Sequence, residues 1–170
     1  TLQSALSGIK TISTITTPPV DRLPIETSVE FFNLEKVRDY INFEVLRGGQ
    51  VYFLHNNISS LNKFKRQLTS LIKGLRVVVI HAKMPPLKIK EVLRSFVSKE
   101  FDVLVSTSII ENGLDIPNVN TVIINNAQLF GLSQLHQIRG RVGRHNKQAY
   151  AHLLIPKNSQ PTGDTFRRLK

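Results

Sequence analysis

The segment from Gln137 to Arg144 has residue types suited to holding phosphate groups, and its sequence is QIRGRVGR. Arg141 and Arg144 carry planar guanidinium groups whose N–H donors match the oxygen atoms of a phosphate. Gly140 and Gly143 let the backbone turn tightly and approach a bulky ligand. The alternative is a basic helix end followed by a turn, but such a turn does not require this alternation of glycine and arginine. We therefore expect phosphate chemistry at this segment.

A second set of polar residues directly follows apolar runs that predict buried strands. The set comprises His55 and Asn56, His81 to Met84, Ser106 to Pro117, and Asn125 to Gly131. In a parallel sheet covered by helices on both faces, ligands gather beyond the carboxyl ends of the strands. A serine, threonine or asparagine at a strand end also serves as a capping residue, so both roles stay open.

The elements that would position these residues alternate between strands and helices. Asn33 and Ser60 are each expected to cap a helix and Pro86 to begin one, because apolar residues recur at helical spacing after them. A last helix is predicted from about Ser133. The predicted strands are Ser28 to Phe32, Val51 to Leu54, Val77 to Ile80, Val103 to Val105, Thr121 to Ile124, and Ala149 to Ile155. This alternation predicts an α/β fold with a mostly parallel central sheet and helices on both faces.

Composition narrows the classes of protein. The 170 residues fit one domain, and 23 basic against 12 acidic residues give a net charge of +11. This excess favours a polyanionic partner, with nucleic acid foremost, over a solvated basic face. No apolar run approaches the roughly 18 residues that span a membrane, and no export leader is evident, so we expect a soluble cytoplasmic protein. The absence of cysteine and of paired histidine spacing predicts no structural metal.

Three blocks resemble conserved motifs of superfamily 2 helicases, and they occur in the same order and spacing. Gln137 to Arg144 resembles motif VI, QxxGRxGR. Ser106 to Pro117, STSIIENGLDIP, resembles motif V, and Val51 to Asn56, VYFLHN, resembles motif IV. The resemblance covers nearly the whole chain and implies the second RecA-like domain of a DNA translocase, with a three-layer fold.

Within this superfamily the chain resembles the branch shared by the transcription-repair coupling factors and the RecG fork-remodelling helicases. Ile109 to Pro117 and Phe130 to Gln137 carry that resemblance. Ile12 to Pro24 and Gln148 to Ala151 favour the coupling factors over RecG. For a coupling factor the resemblance implies double-stranded DNA as a partner, and RNA polymerase and excision-repair proteins as partners of other domains.

The resemblance also implies roles for residues around a nucleotide. Arg141 and Arg144 would act as arginine fingers on the γ-phosphate of an ATP held by the preceding domain, and Gln137 would orient the same site. Asp115 would contact the ribose or position an arginine, or it is simply a turn aspartate, and Gly113 would give that loop room. Gly140, which was named above, belongs to the same nucleotide-facing set.

Contacts with the DNA backbone are implied at the strand ends. The residues expected to hold phosphates are Ser106, Thr107, His55 and Asn56. The chain departs from the family in the loop from His81 to Met84, where glycine usually stands in place of Ala82 and Lys83. This departure puts a backbone contact in doubt there, although Lys83 offers a phosphate contact of its own.

The sequence lacks the residues that would grip the nucleotide itself. It contains no GxxxxGK[ST] loop and no acidic pair for magnesium, so ATP with Mg²⁺ is expected mainly on an upstream RecA-like domain of the same protein. The chain is therefore expected to be inactive alone. Because it begins at Thr1 and its one methionine is Met84, we expect a piece of a longer protein.

The expected domain boundaries follow from this interpretation. Residues 1–27 are predicted to end a helix and form a linker, and residues 28–158 to form the RecA-like domain. Residues 159–170 would begin the helical hairpin that couples ATP turnover to movement along DNA. The alternatives are a RecG-type helicase lobe, a non-catalytic nucleic-acid-binding module and, last, a scaffold that binds only protein.

Overall fold

Six parallel strands form one sheet in the described part of the computed structural model, which comprises residues 23–107, 119–143 and 147–157. The strands are β1 (Glu26–Phe31), β2 (Gln50–His55), β3 (Val77–Ile80), β4 (Val103–Ser106), β5 (Val119–Asn125) and β6 (Tyr150–Ile155). Their order across the sheet is β1-β6-β5-β2-β4-β3, and every neighbouring pair is parallel. The predicted parallel α/β sheet is confirmed.

Among the described residues, two α-helices cover each face of this sheet. The helices are α1 (Leu34–Leu46), α2 (Ile58–Leu71), α3 (Pro86–Val97) and α4 (Leu132–Arg139). Apolar residues of α1 and α2, such as Ile41 and Leu68, pack in one core cluster. Those of α3 and α4, such as Phe96 and Leu135, pack in a second cluster. The result is the predicted three-layer RecA-like architecture.

The starts of the helices show where local sequence signals succeed. Asn33 caps α1 as predicted, because its side-chain oxygen accepts a hydrogen bond of 2.9 Å from the amide of Glu35. Pro86 begins α3 as predicted. The predicted cap at Ser60 is wrong, since α2 begins at Ile58 and Asn57 accepts the capping bond.

The strand boundaries agree closely with the apolar runs. β3 matches its prediction residue for residue, and β4 runs on to Ser106. β1 begins at Glu26 rather than Ser28, because the amide of Glu26 donates a 2.9 Å hydrogen bond to the carbonyl of Ala149 just before β6. Pairing with a distant part of the chain therefore sets this boundary.

Two general properties concern the described residues only. None of their helices combines the length and apolar character needed to cross a bilayer. Within the same ranges no group of three or more histidine, aspartate or glutamate side chains is placed to hold a metal ion. The predicted helix end and linker before residue 23, and the hairpin start at 159–170, lie outside the described residues.

Candidate functional site

The arginine segment is the stretch from Gln137 to Arg144, and its described part, Gln137 to Gly143, lies at the amino edge of the sheet. α4 starts beyond the carboxyl end of β5 and runs back across the face of the sheet, ending at Arg139. After the turn at Gly140, the amide of Gly143 donates a 3.2 Å hydrogen bond to the carbonyl of Val119, the first residue of β5. Gln137, Gly140 and Arg141 therefore lie at the edge opposite to the one where polar residues follow the strands.

Exposure differs along this segment. Gln137 and Gly140 are exposed and Arg141 is half-buried, so all three can face a neighbouring domain. Val142 and Gly143 are buried and anchor the segment to the core. Arg144 lies outside the described residues.

The two glycines of the segment have different backbone roles. Gly143 adopts a φ of +75°, and a Cβ there would lie 2.6 Å from the Cβ of Ala149. Glycine is therefore required at this position. Gly140 has a φ of −64°, which any residue adopts, so the prediction that it turns the backbone through glycine's freedom is wrong. A role in letting a ligand approach stays a prediction.

Polar residues from three neighbouring strands gather at the carboxyl edge. Ser106 ends β4 and lies in register with Leu54 of β2 on one side and Ile80 of β3 on the other. The residues that extend from these three strand ends are His55, Asn56, Lys83, Ser106 and Thr107. These residues are far apart along the chain, but the neighbouring strands of the sheet place them side by side.

Ser106 and Thr107 differ in what their hydroxyl groups do. Ser106 is fully buried, and its Oγ lies 2.8 Å from the hydroxyl of Tyr52 and 2.8 Å from the carbonyl of Thr107. The Thr107 hydroxyl is also buried but has no hydrogen-bond partner within the described part of the chain. An unsatisfied buried hydroxyl is unfavourable, so Thr107 is the better candidate to receive a ligand.

His55 is held by hydrogen bonds at both ring nitrogens. The Nδ2 group of Asn125 lies 2.8 Å from Nδ1, which must accept because an amide nitrogen only donates. Nε2 therefore carries the proton and donates to the Ser60 hydroxyl at 2.6 Å. Burial lowers the pKa of His55 and favours this neutral ring. A phosphate contact from His55 would require one of these bonds to break.

Asn56 and Lys83 are the accessible members of this edge. Both side chains are exposed. Lys83 lies in a turn after β3 that is closed by a 3.0 Å hydrogen bond from the amide of Met84 to the carbonyl of His81. This turn therefore forms with Ala82 and Lys83 at the positions where the family usually has glycine.

The sequence interpretation missed a buried ion pair at the amino edge. Glu44, on the last turn of α1, is fully buried and accepts hydrogen bonds from Arg47 Nε at 2.9 Å and from the Thr121 hydroxyl at 2.5 Å. Arg47 Nη2 also donates to the carbonyl of Gln148 at 2.6 Å. The available signal was a glutamate and an arginine three residues apart on an otherwise apolar helix end, directly before two glycines.

The profile of the helicase conserved C-terminal domain matches residues 33–146. The chain belongs to this family. The matched range contains the arginine segment and the strand ends at the carboxyl edge. The predicted resemblance to superfamily 2 helicases is thereby confirmed.

Curated relatives of this helicase C-terminal domain point to the coupling factors. It is 47% identical to the transcription-repair-coupling factor of Haemophilus influenzae, over 99% of this chain and 15% of that protein. It is 45% identical to that of Escherichia coli K12, over 100% of this chain and 15% of that protein. The chain thus spans about one seventh of the length of these relatives.

A solved structure supports the branch. RecG bound to a three-way DNA junction superposes with a TM-score of 0.76 at 31% identity, over 89% of this chain and 20% of that one. The predicted likeness to RecG is confirmed. Gly113 and Asp115, which were predicted to face the nucleotide, lie outside the described residues, as does most of the motif V block.

Proposed function

We propose that this domain is the C-terminal motor lobe of an ATP-dependent double-stranded DNA translocase that acts in transcription-coupled repair. The observation that carries the proposal is the placement of two sets of residues on one sheet. The arginine segment lies at the amino edge, and the strand-end residues lie at the carboxyl edge. A lobe built in this way can contact a nucleotide with one edge and DNA with the other.

At the nucleotide side the chain supplies donors rather than a binding cradle. The guanidinium groups of Arg141 and Arg144 and the amide of Gln137 would neutralise phosphate charge as hydrolysis proceeds. Gly113, Asp115 and Gly140 would line the same side, as the family resemblance implies. Bound ATP with Mg²⁺ supplies the free energy of hydrolysis.

The residues present fit only one side of such a nucleotide. The sequence contains no GxxxxGK[ST] loop, and the described residues offer no acidic cluster for a metal. The phosphate cradle and the magnesium ligands would belong to an upstream RecA-like domain. The domain on its own is therefore expected not to hydrolyse ATP.

At the DNA side, Thr107, Asn56 and Lys83 would contact the phosphate backbone. The buried hydroxyl of Thr107 has no hydrogen-bond partner among the described residues, and the side chains of Asn56 and Lys83 are exposed. Ser106 and His55, whose polar atoms are bonded within the protein, would support this edge and contact phosphates only after rearrangement. Backbone contacts of this kind carry no sequence preference.

The partners of the complete protein follow from its resemblance to the coupling factors. RNA polymerase and excision-repair proteins would bind through domains other than this one, and the motor would displace a stalled polymerase. Because the chain spans about 15% of its relatives, these partners belong to the proposal. A bacterial cytoplasm is the compartment that this function implies.

The experiment that tests the proposal is steady-state ATP hydrolysis by the full-length protein with saturating duplex DNA. Arg141→Ala and Arg144→Ala should each lower kcat by roughly 10³-fold, while the Kd for ATP changes little. Arg94→Ala, which removes an exposed arginine on α3, is the control and should leave kcat unchanged. Mild effects confined to nucleotide binding would make Arg141 and Arg144 structural residues instead.

A second candidate is a RecG-type fork-remodelling helicase lobe, which the structural similarity to junction-bound RecG favours. The two activities separate on their substrates. A coupling factor should displace the third strand of a triplex or a stalled polymerase, whereas a RecG-type enzyme should convert a three-way junction. If the full-length protein binds DNA but hydrolyses no ATP, the domain is a non-catalytic nucleic-acid-binding module.

A further inference from the structure

Burying the Glu44–Arg47 ion pair has a desolvation cost in free energy, so a contribution to stability alone does not explain the pair. Glu44 is fully buried, and the Arg47 side chain is 21% exposed. A buried ion pair gives up hydration that its mutual attraction only partly restores, and well-packed apolar residues often stabilise such a place equally well or better. A role beyond stability would therefore come from the contacts that the pair makes with other elements.

Those contacts reach the chain on both sides of the arginine segment. Before the segment, Glu44 accepts hydrogen bonds from Thr121 and from Asn120, the latter at 3.3 Å. Asn120 directly follows Val119, whose carbonyl accepts the hydrogen bond of Gly143. The pair thus holds the strand end to which the turn is attached.

After the segment, Arg47 holds the start of β6. Its Nη2 group donates to the carbonyl of Gln148 at 2.6 Å, and Lys147 Nζ donates to the carbonyl of Arg47 at 2.9 Å. The Arg47 guanidinium also lies 5.1 Å from the ring centre of Tyr150, the first residue of β6. One ion pair therefore contacts β5 next to Val119, to which Gly143 is bonded, and also contacts the start of β6, which follows the arginine segment.

An arginine at position 47 and a glycine at position 49 are the residue types that the buried ion pair requires. The Arg47 guanidinium lies over the ring of Phe43 at 5.2 Å as well as over Tyr150, and it directs two N–H groups to Glu44 and one to Gln148. A lysine ammonium cannot reproduce this planar fork. A Cβ at position 49 would lie 1.6 Å from Glu44 Oε1, so Gly49 leaves the space that the carboxylate occupies.

We propose that Glu44 and Arg47 are positioning residues that hold the turn carrying Arg141 at the amino edge, where it meets the nucleotide on the preceding domain. The inference rests on the proposed function. It assigns to α1, which carries none of the helicase motifs, a part in setting the geometry of the arginine segment.

The test is ATP turnover by the full-length protein with saturating duplex DNA. Arg47→Met, which retains much of the packing, should lower kcat by about 10- to 100-fold, because a small misplacement of a group that acts in the transition state is costly. The KM for ATP and the affinity for duplex DNA should stay within about twofold of wild type, since binding does not depend on that placement. Thr121→Val removes one hydrogen bond to Glu44 and should give a smaller drop in the same direction.

Arg76→Met is the matched control. Arg76 pairs with Asp102 at 2.6 Å, also at the amino edge, but it holds the starts of β3 and β4 instead of the arginine segment. Its kcat should equal that of wild type. An equal loss of kcat in Arg76→Met and Arg47→Met would overturn the inference, because it would show a general effect of loosening this edge.

A double-mutant cycle separates positioning from independent effects. If Glu44 and Arg47 act through Arg141, Arg47→Met should lower kcat by a smaller factor in an Arg141→Ala background than in the wild-type protein. Multiplicative losses would contradict the inference. If Arg141→Ala alone leaves kcat unchanged, the proposed function fails. If Arg141→Ala abolishes turnover while folded Arg47→Met and Thr121→Val are both fully active, only the positioning role fails.

Discussion

The amide of Gly143 donates a hydrogen bond of 3.2 Å to the carbonyl of Val119, the first residue of β5. This bond ties the arginine segment to the amino edge of the sheet. Thr107 follows β4 at the carboxyl edge, and a strand of four to seven residues separates two such edges by roughly 13–23 Å. The nucleotide-facing and DNA-facing residues of the proposed motor are therefore joined by a rigid, fully parallel sheet.

Gly143 should be far less tolerant of a side chain than Gly48. Both have a positive φ, +75° and +77°, but a Cβ at Gly143 would meet Ala149 at 2.6 Å, whereas a Cβ at Gly48 would meet nothing within 4 Å. Gly48→Ala should cost about 1 kcal/mol from backbone strain. Gly143→Ala should cost about 2–4 kcal/mol, since overpacking adds to that strain. Urea unfolding of the domain measures both, and equal costs would show that Ala149 moves aside freely.

Ser106 and Thr107 should separate stability from DNA binding. Ser106→Ala removes a hydroxyl bonded to Tyr52 and should lower the free energy of unfolding by about 1 kcal/mol or more. Thr107→Val removes a hydroxyl without a partner in the described residues, so stability should hold or rise while duplex affinity falls. Unfolding curves and DNA titrations of the two variants provide the comparison. Unchanged DNA affinity in Thr107→Val would leave Thr107 as a strand-end residue only.

The stability of the domain should fall in mild acid because of His152. Its ring stacks on Tyr40 with a centroid distance of 3.6 Å, and burial lowers its pKa to about 4, although Glu30 nearby acts in the opposite direction. Since the unfolded chain takes up the proton first, stability is full above about pH 6.5 and is lost as the pH falls toward 4. The loss from this residue is about 3 kcal/mol at most.

Two variants isolate the His152 contribution. His152→Phe keeps a stacking ring that cannot take up a proton, so its unfolding free energy should vary less between pH 6.5 and pH 4. Ser28→Ala removes the 2.8 Å hydrogen bond to Nδ1 but leaves the imidazole able to titrate, so the slope should persist. An unchanged slope in His152→Phe would assign the acid sensitivity to other groups.

Local sequence signals predicted the starts of α1 and α3 and the central residues of the strands. The cap at Asn33, the helix start at Pro86 and the apolar runs of the strands depend only on residues close to them in the sequence. The prediction that Ser60 caps a helix was wrong, because Asn57, three residues earlier, accepts the capping hydrogen bond and the Ser60 hydroxyl bonds to His55. Asn57 and Ser60 are both residue types that cap helices, and only the contacts of the folded domain distinguish them.

The geometry of the site could not be predicted from the sequence, because it depends on contacts between residues that are far apart along the chain. Motif matches identified Arg141, but not that α4 returns it to the amino edge. Asn125, which engages one nitrogen of His55, lies 70 residues away in sequence. The spacing of Glu44 and Arg47 suggested an ion pair, but not its burial, because Asn120 and Thr121 of β5 reach Glu44 only in the folded domain.

Lys83 should contribute to the salt dependence of DNA binding. For about three to five phosphate contacts, a log–log plot of the binding constant of the domain against salt should have a slope near −3 to −4. Lys83→Gln should make the slope less steep by about one. Lys88→Gln is the control, since Lys88 already pairs with Glu91 at 3.0 Å on α3, and its slope should match wild type. Identical slopes for all three proteins would exclude Lys83 from the interface.

In the proposed motor, this lobe transmits the state of the nucleotide at one edge to DNA at the other edge. The duplex-DNA affinity of the full-length protein, with and without a non-hydrolysable ATP analogue, measures this transmission. Wild type should change its Kd by about 5- to 150-fold between the two states, the usual range for coupled sites. Arg141→Ala should bind DNA like wild type without nucleotide and lose most of that change. If Arg141→Ala keeps the full change, or if the DNA affinity of the wild-type protein is the same with and without the analogue, this lobe does not couple the two edges.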